Sequence, residues 1–421
     1  MNPFEQKPSP IDTAFCNWTS LYPKPYNKNE VDPYTKTRVI LMNGTEYEAV
    51  WFSHQFQRHC PNNDLRRELA LVRRIEQQQQ KVIAALKPKD ETILEHTISY
   101  EQLAVDLTAG IAQCEPDLNV KAALDFALLE DFDHLYRYAD LLENEQGVKA
   151  EQLVGHYTEI MPGRPTISEH RYPFDNIRYY INNKTASPLT KLHVSIITAA
   201  EQQTMNYYMN TAALYHNDIG RQLYQEIGLI EEQHVSQYGS LIDTTTTMLE
   251  CLLMHEYTEC YLYYSCYEDE TDPYIKKIWE QHFEQEVSHL HNAARLLKQY
   301  ENKEWQQCIP EGEFPQLLKL HENKEYIRDI LGNTVQNTSK LEQYVNIKDV
   351  PQTDVFYAFQ KQLNLPEDEV PTHKLIQGYI SECGKDYRYQ DKEHPVEALR
   401  NREVDNTTVG RFSDVLSSLD F

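Results

Sequence analysis

The sequence predicts a mainly α-helical protein in which three helical hairpins follow one another between a proline-rich N-terminal arm and a small C-terminal extension. Three observations carry this. Apolar residues recur at helical spacing over long stretches, turn-forming residues break those stretches in pairs, and a spaced set of acids and histidines repeats on each pair. With 421 residues, 40% hydrophobic and 25% charged, the chain can bury a sizeable core and falls outside the disordered class.

Residues 1 to 44 carry many of the prolines ("KPSP", "YPKPY", "VDPY") and read as an extended arm laid over the surface. Helical signals begin at "NGTEYEAVWF", where Thr45 followed by Glu48 reads as a capping box, so residues 1–60 are assigned to the arm and a first short helix. A helical domain over 61–300 opens with a longer helix from Asn63 to Leu86. Three pairs follow: 91–113 with 118–143, 189–213 with 218–242, and 245–267 with 273–300. The breaks within pairs, "CEPDLN", "YHNDIG" and "YEDETDP", each hold turn formers and an Asp able to cap the next helix. A long polar connector, including "IMPGRPTISEHRYPFDN" and "NNKTASPLT", separates the first two pairs. "SLIDTTTTM" reads as a tight turn before the third, with Asp243 or Thr244 as cap. Residues 301–421 form a C-terminal helical extension and tail, with helix-like pieces near 314–332 and 353–363.

The formal net charge of −25, with no arginine and lysine stripe beside aromatic residues, argues against a nucleic-acid partner. The one basic patch, "LRRELALVRRIEQQQQK", contains Leu65, Leu69, Val72 and Ile75 at helical spacing and reads as a solvated helix face. The opening lacks a basic segment followed by an apolar one, and no run of 18 apolar residues occurs. Neither secretion nor membrane spanning is expected, and the cytoplasm is the expected location. Eight cysteines without a C-x-x-C pair are expected to be reduced thiols.

The chemistry lies in a repeat. Glu231 and His234 in "LIEEQHVSQYG" stand three residues apart and share one helix face. The pair recurs as Glu286 and His289, and with aspartate as Asp131 and His134. Upstream of each, by 30 residues, stands another acid: Glu201, Glu256 and Glu101 respectively. At about 1.5 Å per residue, some 14 residues of helix to a turn and a similar number back return the chain to its starting level. The upstream acid then faces the acid-x-x-His pair on the antiparallel helix. Two such hairpins supply four carboxylates and two imidazoles, the ligand set of a carboxylate-bridged dinuclear site. Four carboxylates balance two divalent cations, whereas buried without metal they repel one another or hold protons.

On these residues the chain resembles the ferritin-like superfamily of ferritins, rubrerythrins, manganese catalases and di-iron oxygenases, over about residues 90–300. Glu259, three residues after Glu256, is similar to the additional glutamate of rubrerythrins. The chain departs from the family in having three half-sites and no rubredoxin-like C-x-x-C pairs. The resemblance implies a ferritin-like helical bundle holding two iron ions, or manganese, with Glu231 and Glu286 bridging or chelating, His234 and His289 terminating each metal, and Glu201 and Glu256 completing the shells. It also implies a metal-dependent oxidoreductase acting with dioxygen, peroxide or ferrous iron in peroxidase, catalase-like or ferroxidase chemistry, with an external electron donor.

Which hairpins share a site stays open. Ligand types favour hairpins two and three, where all six residues are Glu or His. Connectivity favours one and two, because 67 residues separate His134 from Glu201 and only 22 separate His234 from Glu256. A homo-oligomer sharing a site between subunits is the third arrangement. Tyr208 and Tyr263, each seven residues after an upstream Glu, read as core tyrosines that could also donate hydrogen bonds or relay electrons near the metals. His170 and His193 read as connector or core residues, and Cys260 and Cys266 as buried thiols. The competing functions are a helical scaffold with a degenerate metal site and iron storage.

Overall fold

Among the described residues, four helical hairpins organise the chain where the sequence pattern led us to expect three. The computed structural model describes residues 1–161, 177–335, 337–364, 366–384 and 395–397. The expected pairs are present as α3 (Ile93–Cys114) with α4 (Leu118–Gln146), α6 (Pro188–Leu214) with α7 (Asp218–Ser240), and α8 (Met248–Asp269) with α9 (Pro273–Glu301); the short α5 (Ala150–Leu153) lies in the connector. The fourth hairpin precedes them: α1 (Pro33–His59) with α2 (Asn63–Ala84).

The proline-rich arm is therefore shorter than expected. Pro33, which looks like an arm residue, occupies the first turn of a 27-residue helix, where its missing N–H costs nothing, and Asp32 caps that helix by accepting from the Tyr34 amide. Thr45 and Glu48 sit in the middle of α1 rather than at its start, and Thr45 Oγ1 donates to the Leu41 carbonyl.

All four hairpins share one turn design. Three residues separate the helices in each, and the third is an Asn or Asp whose side chain accepts from amides of the following helix: Asn62, Asp117, Asn217 and Asp272. Equal turns on equal helices make the 30-residue spacing recur. The cap before α7 is thus Asn217 and not the adjacent Asp218. The cap before α8 is Thr247, in a capping box with Glu250, and not Asp243 or Thr244. Asp243 accepts instead from the amides of Asn183 and Thr245.

The hairpins assemble into two nested bundles. In the inner bundle α3 packs on α6 and α4 on α7; in the outer bundle α1 packs on α8 and α2 on α9. Short links, 85–92 and 241–247, join the bundles, and the whole inner bundle lies between α2 and α8 in sequence. The bundles meet along α1, which also packs against α3 and α6. There Gly44 lets α1 approach Gln203 closely; Gln203 Nε2 donates to the Ile40 carbonyl, and its Oε1 accepts from Asn43.

The C-terminal extension holds α10 (Lys324–Thr334), an antiparallel hairpin of β1 (Asn337–Lys340) and β2 (Gln343–Asn346), α11 (Val355–Asn364) and α12 (Pro371–Cys383). Helix α12 packs on α4 and α7, and Tyr344 stacks on Phe126. Leu65, Leu69, Val72 and Ile75 of the basic segment are buried along α2, while Arg66 and Arg67 are exposed. Seven described cysteines are free, with Cys260 and Cys266 buried. No described helix is long and apolar enough to cross a membrane.

Candidate metal centres

Helices α3, α4, α6 and α7 bring six of the sequence-derived residues to one place inside the inner bundle. Glu101, Asp131, His134, Glu201, Glu231 and His234 are each no more than 2% exposed. Hairpins one and two therefore face each other: the His134 and His234 rings lie 6.1 Å apart. His134 Nδ1 is 2.8 Å from Glu231 Oε1. His234 Nδ1 is 3.3 Å from Glu231 Oε2, 3.4 Å from Asp131 Oδ1 and 3.8 Å from Glu201 Oε2. Two overlapping donor groups result, Asp131–Glu201–Glu231–His234 and Glu101–His134–Glu231, each with its ligand atoms within 4.8 Å of one another, and either could hold a metal ion. Glu231 belongs to both. Asp131, one methylene shorter than a glutamate, appears in only one.

Side chains around the ligands fix their orientation. His234 Nε2 is 2.8 Å from Glu130, which leaves Nδ1 facing the carboxylates, as a carboxylate behind a metal-bound imidazole does. Tyr208 donates to Glu101 Oε1 at 2.5 Å. Enclosure makes three of these carboxylates costly to ionise. Burial first, then Glu231, pushes the Glu101 pKa well above the usual carboxylate range, and burial first, then Glu201, does the same for Asp131 and for Glu231. Burial opposes charge on His234, but Asp131 and the hydrogen-bonding carboxylates of Glu130, Glu201 and Glu231 outweigh it and raise its pKa. Without a metal the cluster holds protons; divalent cations are the physical alternative.

The third expected set is elsewhere. Glu256, Glu286 and His289 lie in the outer bundle, so Glu286 does not share a site with Glu231. The seven-residue link from α7 to α8 is too short for the crossover that a shared bundle requires. Their partners come from the fourth hairpin: Glu46 on α1, and Glu76 and Gln79 on α2, all buried. Glu76, Glu256 and His289 form one group with ligand atoms within 4.8 Å, and Glu256, Glu259 and Glu286 form another. His289 Nδ1 is 3.0 Å from Glu286 Oε2 and 3.9 Å from Glu256 Oε2, and Gln79 Nε2 donates to Glu286 Oε1 at 2.5 Å. Tyr263 donates to Glu46, as Tyr208 does to Glu101. Burial, then neighbouring carboxylates, raises Glu46, Glu256 and Glu259 well above the usual range, while burial lifts Glu76 to about 7. Burial also opposes charge on Glu286, but His289 holds its pKa below the ordinary value.

Glu46, Glu76, Gln79 and Glu130 escaped the sequence reading. Glu46 precedes Glu76 by 30 residues and Gln79 follows three later, so the repeat was present but hidden by glutamine where the other copies have histidine. Glu130, adjacent to a ligand position, carried no signal of its own. His193 is a core residue bonded to Glu115 at 2.7 Å. His170 lies outside the described residues. No family model matches the chain, and no curated protein or solved structure is significantly similar to it.

Proposed function

We propose that the inner bundle is a ferritin-like carboxylate centre for two iron or manganese ions and that the protein is a metal-dependent oxidoreductase acting with dioxygen or peroxide. One observation supports this reading above the others: two buried donor groups, each containing a histidine, overlap at Glu231, as a carboxylate bridging two metals would require. His134, Glu101 and Glu231 would hold one ion, and His234, Asp131, Glu201 and Glu231 the other; carboxylate and imidazole donors suit iron and manganese alike. When bound, the pair would supply electron transfer to dioxygen or peroxide.

The chain's own groups prepare that chemistry. Glu130 holds the His234 Nε2 position and so keeps Nδ1 inward, while the Tyr208 hydroxyl holds one oxygen of Glu101 and leaves the other without a hydrogen-bond partner. Near-complete burial excludes bulk water, which strengthens every charge interaction inside. A peroxidase, catalase-like or ferroxidase activity suits so closed a site better than oxidation of a bulky substrate. Peroxidase turnover would draw on an external electron donor.

The test is elemental analysis of protein purified without added metal, with dioxygen and peroxide consumption measured on the same samples. Glu231→Ala is expected to lower iron or manganese by about two equivalents, because both donor groups lose a member, and to abolish turnover. Equal metal content and turnover in wild type and variant overturns the proposal and leaves a helical scaffold with a degenerate site.

A further inference from the structure

The outer bundle repeats the inner site's layout with one histidine missing, and the consequence can be followed atom by atom. Glu46, Glu76, Gln79, Glu256, Glu286 and His289 occupy the positions that Glu101, Asp131, His134, Glu201, Glu231 and His234 occupy in the inner bundle. On the His289 side, Glu76 and Glu256 bring their donor atoms within 4.8 Å of the imidazole. Glu76 Oε2 and Glu256 Oε2 are buried there without a hydrogen-bond partner, on side chains from residues only 2% and 1% exposed. Unpaired carboxylate oxygens converging with an imidazole in a dry interior must either take up protons or face a cation, and three donors of metal-binding type gathered at one point fit a cation.

The Gln79 side is built differently. Its amide Nε2 donates to Glu286, which commits that nitrogen to a hydrogen bond and leaves only the neutral amide oxygen, Oε1, to face a cation. Tyr263 occupies one oxygen of Glu46, and His282 Nδ1 lies 3.3 Å from the Tyr263 hydroxyl. Burial holds His282 down to about 4, so it is a neutral ring there. A neutral amide oxygen is a weak ligand beside an imidazole, and the second ion would lose its only nitrogen donor.

We propose that the outer bundle holds a second, separate metal site that takes a single iron or manganese ion, bound by His289, Glu256, Glu286 and Glu76, with Gln79 excluding the second ion. A cavity of about 430 Å³ between the N-terminal arm and helices α2 and α9 is lined by Gln79, His282, Gln285 and Lys24 among others, and reaches the Gln79 end of the group. Glu259, buried beside Glu256 and Glu286, is a fifth carboxylate of the outer cluster, at a position where the inner bundle has Thr204.

The test separates this site from the inner one by removing the inner site first. Full-length Glu231→Ala/His234→Ala protein, stripped of metal and reloaded with Mn²⁺ alone, is expected to retain about one equivalent with the paramagnetic resonance spectrum of an isolated ion. Adding His289→Ala is expected to abolish that binding. Adding Gln79→His instead restores the missing imidazole and is expected to raise the content to about two equivalents, with the spectrum of a coupled pair. The gain of metal in the Gln79→His protein does not depend on a damaged fold. The proposal is overturned if the inner-site variant binds no Mn²⁺, if it already binds a coupled pair, or if His289→Ala leaves binding unchanged. Loss of the inner-site function leaves this reading intact, because the stripped inner site is its starting point.

Discussion

The two bundles are one plan executed twice, and they differ where chemistry would be decided. Each has an upstream glutamate on its first and third helices, an acid on its second and fourth, and a tyrosine seven residues after the third-helix glutamate that donates to the first-helix glutamate. The inner bundle then has histidine on both returning helices and, four residues after each, the buried tyrosines Tyr138 and Tyr238; the outer has Gln79 and His289 followed by Ile83 and Ala293. Around the inner site Tyr138, Tyr208 and Tyr224 pack with ring centroids 4.8 to 5.7 Å apart. The comparison teaches that the helical frame places the carboxylates whatever the third ligand is. On the single-ion proposal above, histidine or glutamine at the second-helix position then sets how many ions each frame takes.

The frame itself has a shared device, and breaking it is expected to give the largest effect. In the outer bundle the C-cap Glu270 of α8 accepts from Thr35, Arg38 and Trp279; in the inner bundle the C-cap Glu115 of α3 accepts from Thr190 and faces His193. Thr35 and Arg38 stand 11 and 8 residues before Glu46, as Thr190 and His193 do before Glu201. Arg38→Met leaves a buried carboxylate without its cation and is expected to cost about 3 to 5 kcal/mol in urea unfolding. His193→Leu, which removes one hydrogen bond, is expected to cost about 1 to 2 kcal/mol. Burial opposes ionisation of Glu270, but Arg38 holds its pKa below the ordinary 4.5. A depressed carboxylate contributes stability above its unfolded pKa and loses it as pH falls through the folded value. The Arg38→Met deficit should therefore be full at neutral pH and shrink as pH falls below the ordinary value of 4.5. If Arg38→Met costs no more than His193→Leu, the two clamps are not the same device.

The tyrosines sharpen the comparison at a smaller scale. Tyr208→Phe removes the donor that orients Glu101, which in the inner site belongs to a donor group with His134 and Glu231. Metal affinity there is expected to fall about 10-fold, the common effect of losing a residue that orients a ligand. Tyr263→Phe frees Glu46, on the Gln79 side, and is expected to leave the affinity of the His289 side unchanged while costing about 1 kcal/mol of stability. Equal losses of affinity in the two variants, measured by competition with a chelator, would show that Glu46 is a ligand and that the outer site is not unequal.

Hairpin boundaries were legible because capping residues and three-residue turns are local chemistry, written within a few positions of where they act. Of the α1–α2 hairpin, α2 was legible, but the full length of α1 was hidden for the opposite reason. Helix α1 is buried on so many sides, with Lys36, Arg38 and Glu46 enclosed among apolar residues, that no polar stripe alternates with an apolar one. Its charges are satisfied by distant partners such as Glu270, which lies 232 positions away. The six residues gathered in the inner bundle were legible because acid and histidine recur at a spacing set by helix length. Which hairpins face each other was readable only through link length, the 22 residues between His234 and Glu256 against the 67 between His134 and Glu201. Gln79 broke the pattern at its most distinctive letter, so half of the second site could not be seen.

The contact between the bundles offers the smallest and most specific test. A Cβ added to Gly44 would stand 3.0 Å from Gln203 Nε2 and 3.2 Å from Gln203 Cβ. The amide end can swing, but it holds hydrogen bonds to Ile40 and Asn43 that a swing would break, and the Cβ cannot move without shifting α6. Overpacking of this kind costs about 1 to 3 kcal/mol. Alanine in place of glycine in a helix interior returns about 1 kcal/mol. Gly44→Ala is therefore expected to lower stability by about 1 kcal/mol, within the range left by those opposing effects, and to leave the metal content of both bundles intact. Gly44 lies two residues from Glu46 yet faces the neighbouring bundle, so a selective loss of outer-site metal would mean that α1 cannot shift at its bundle contact without moving its carboxylate. A stabilised variant would mean that the close approach of α1 to Gln203 is not what holds the bundles together.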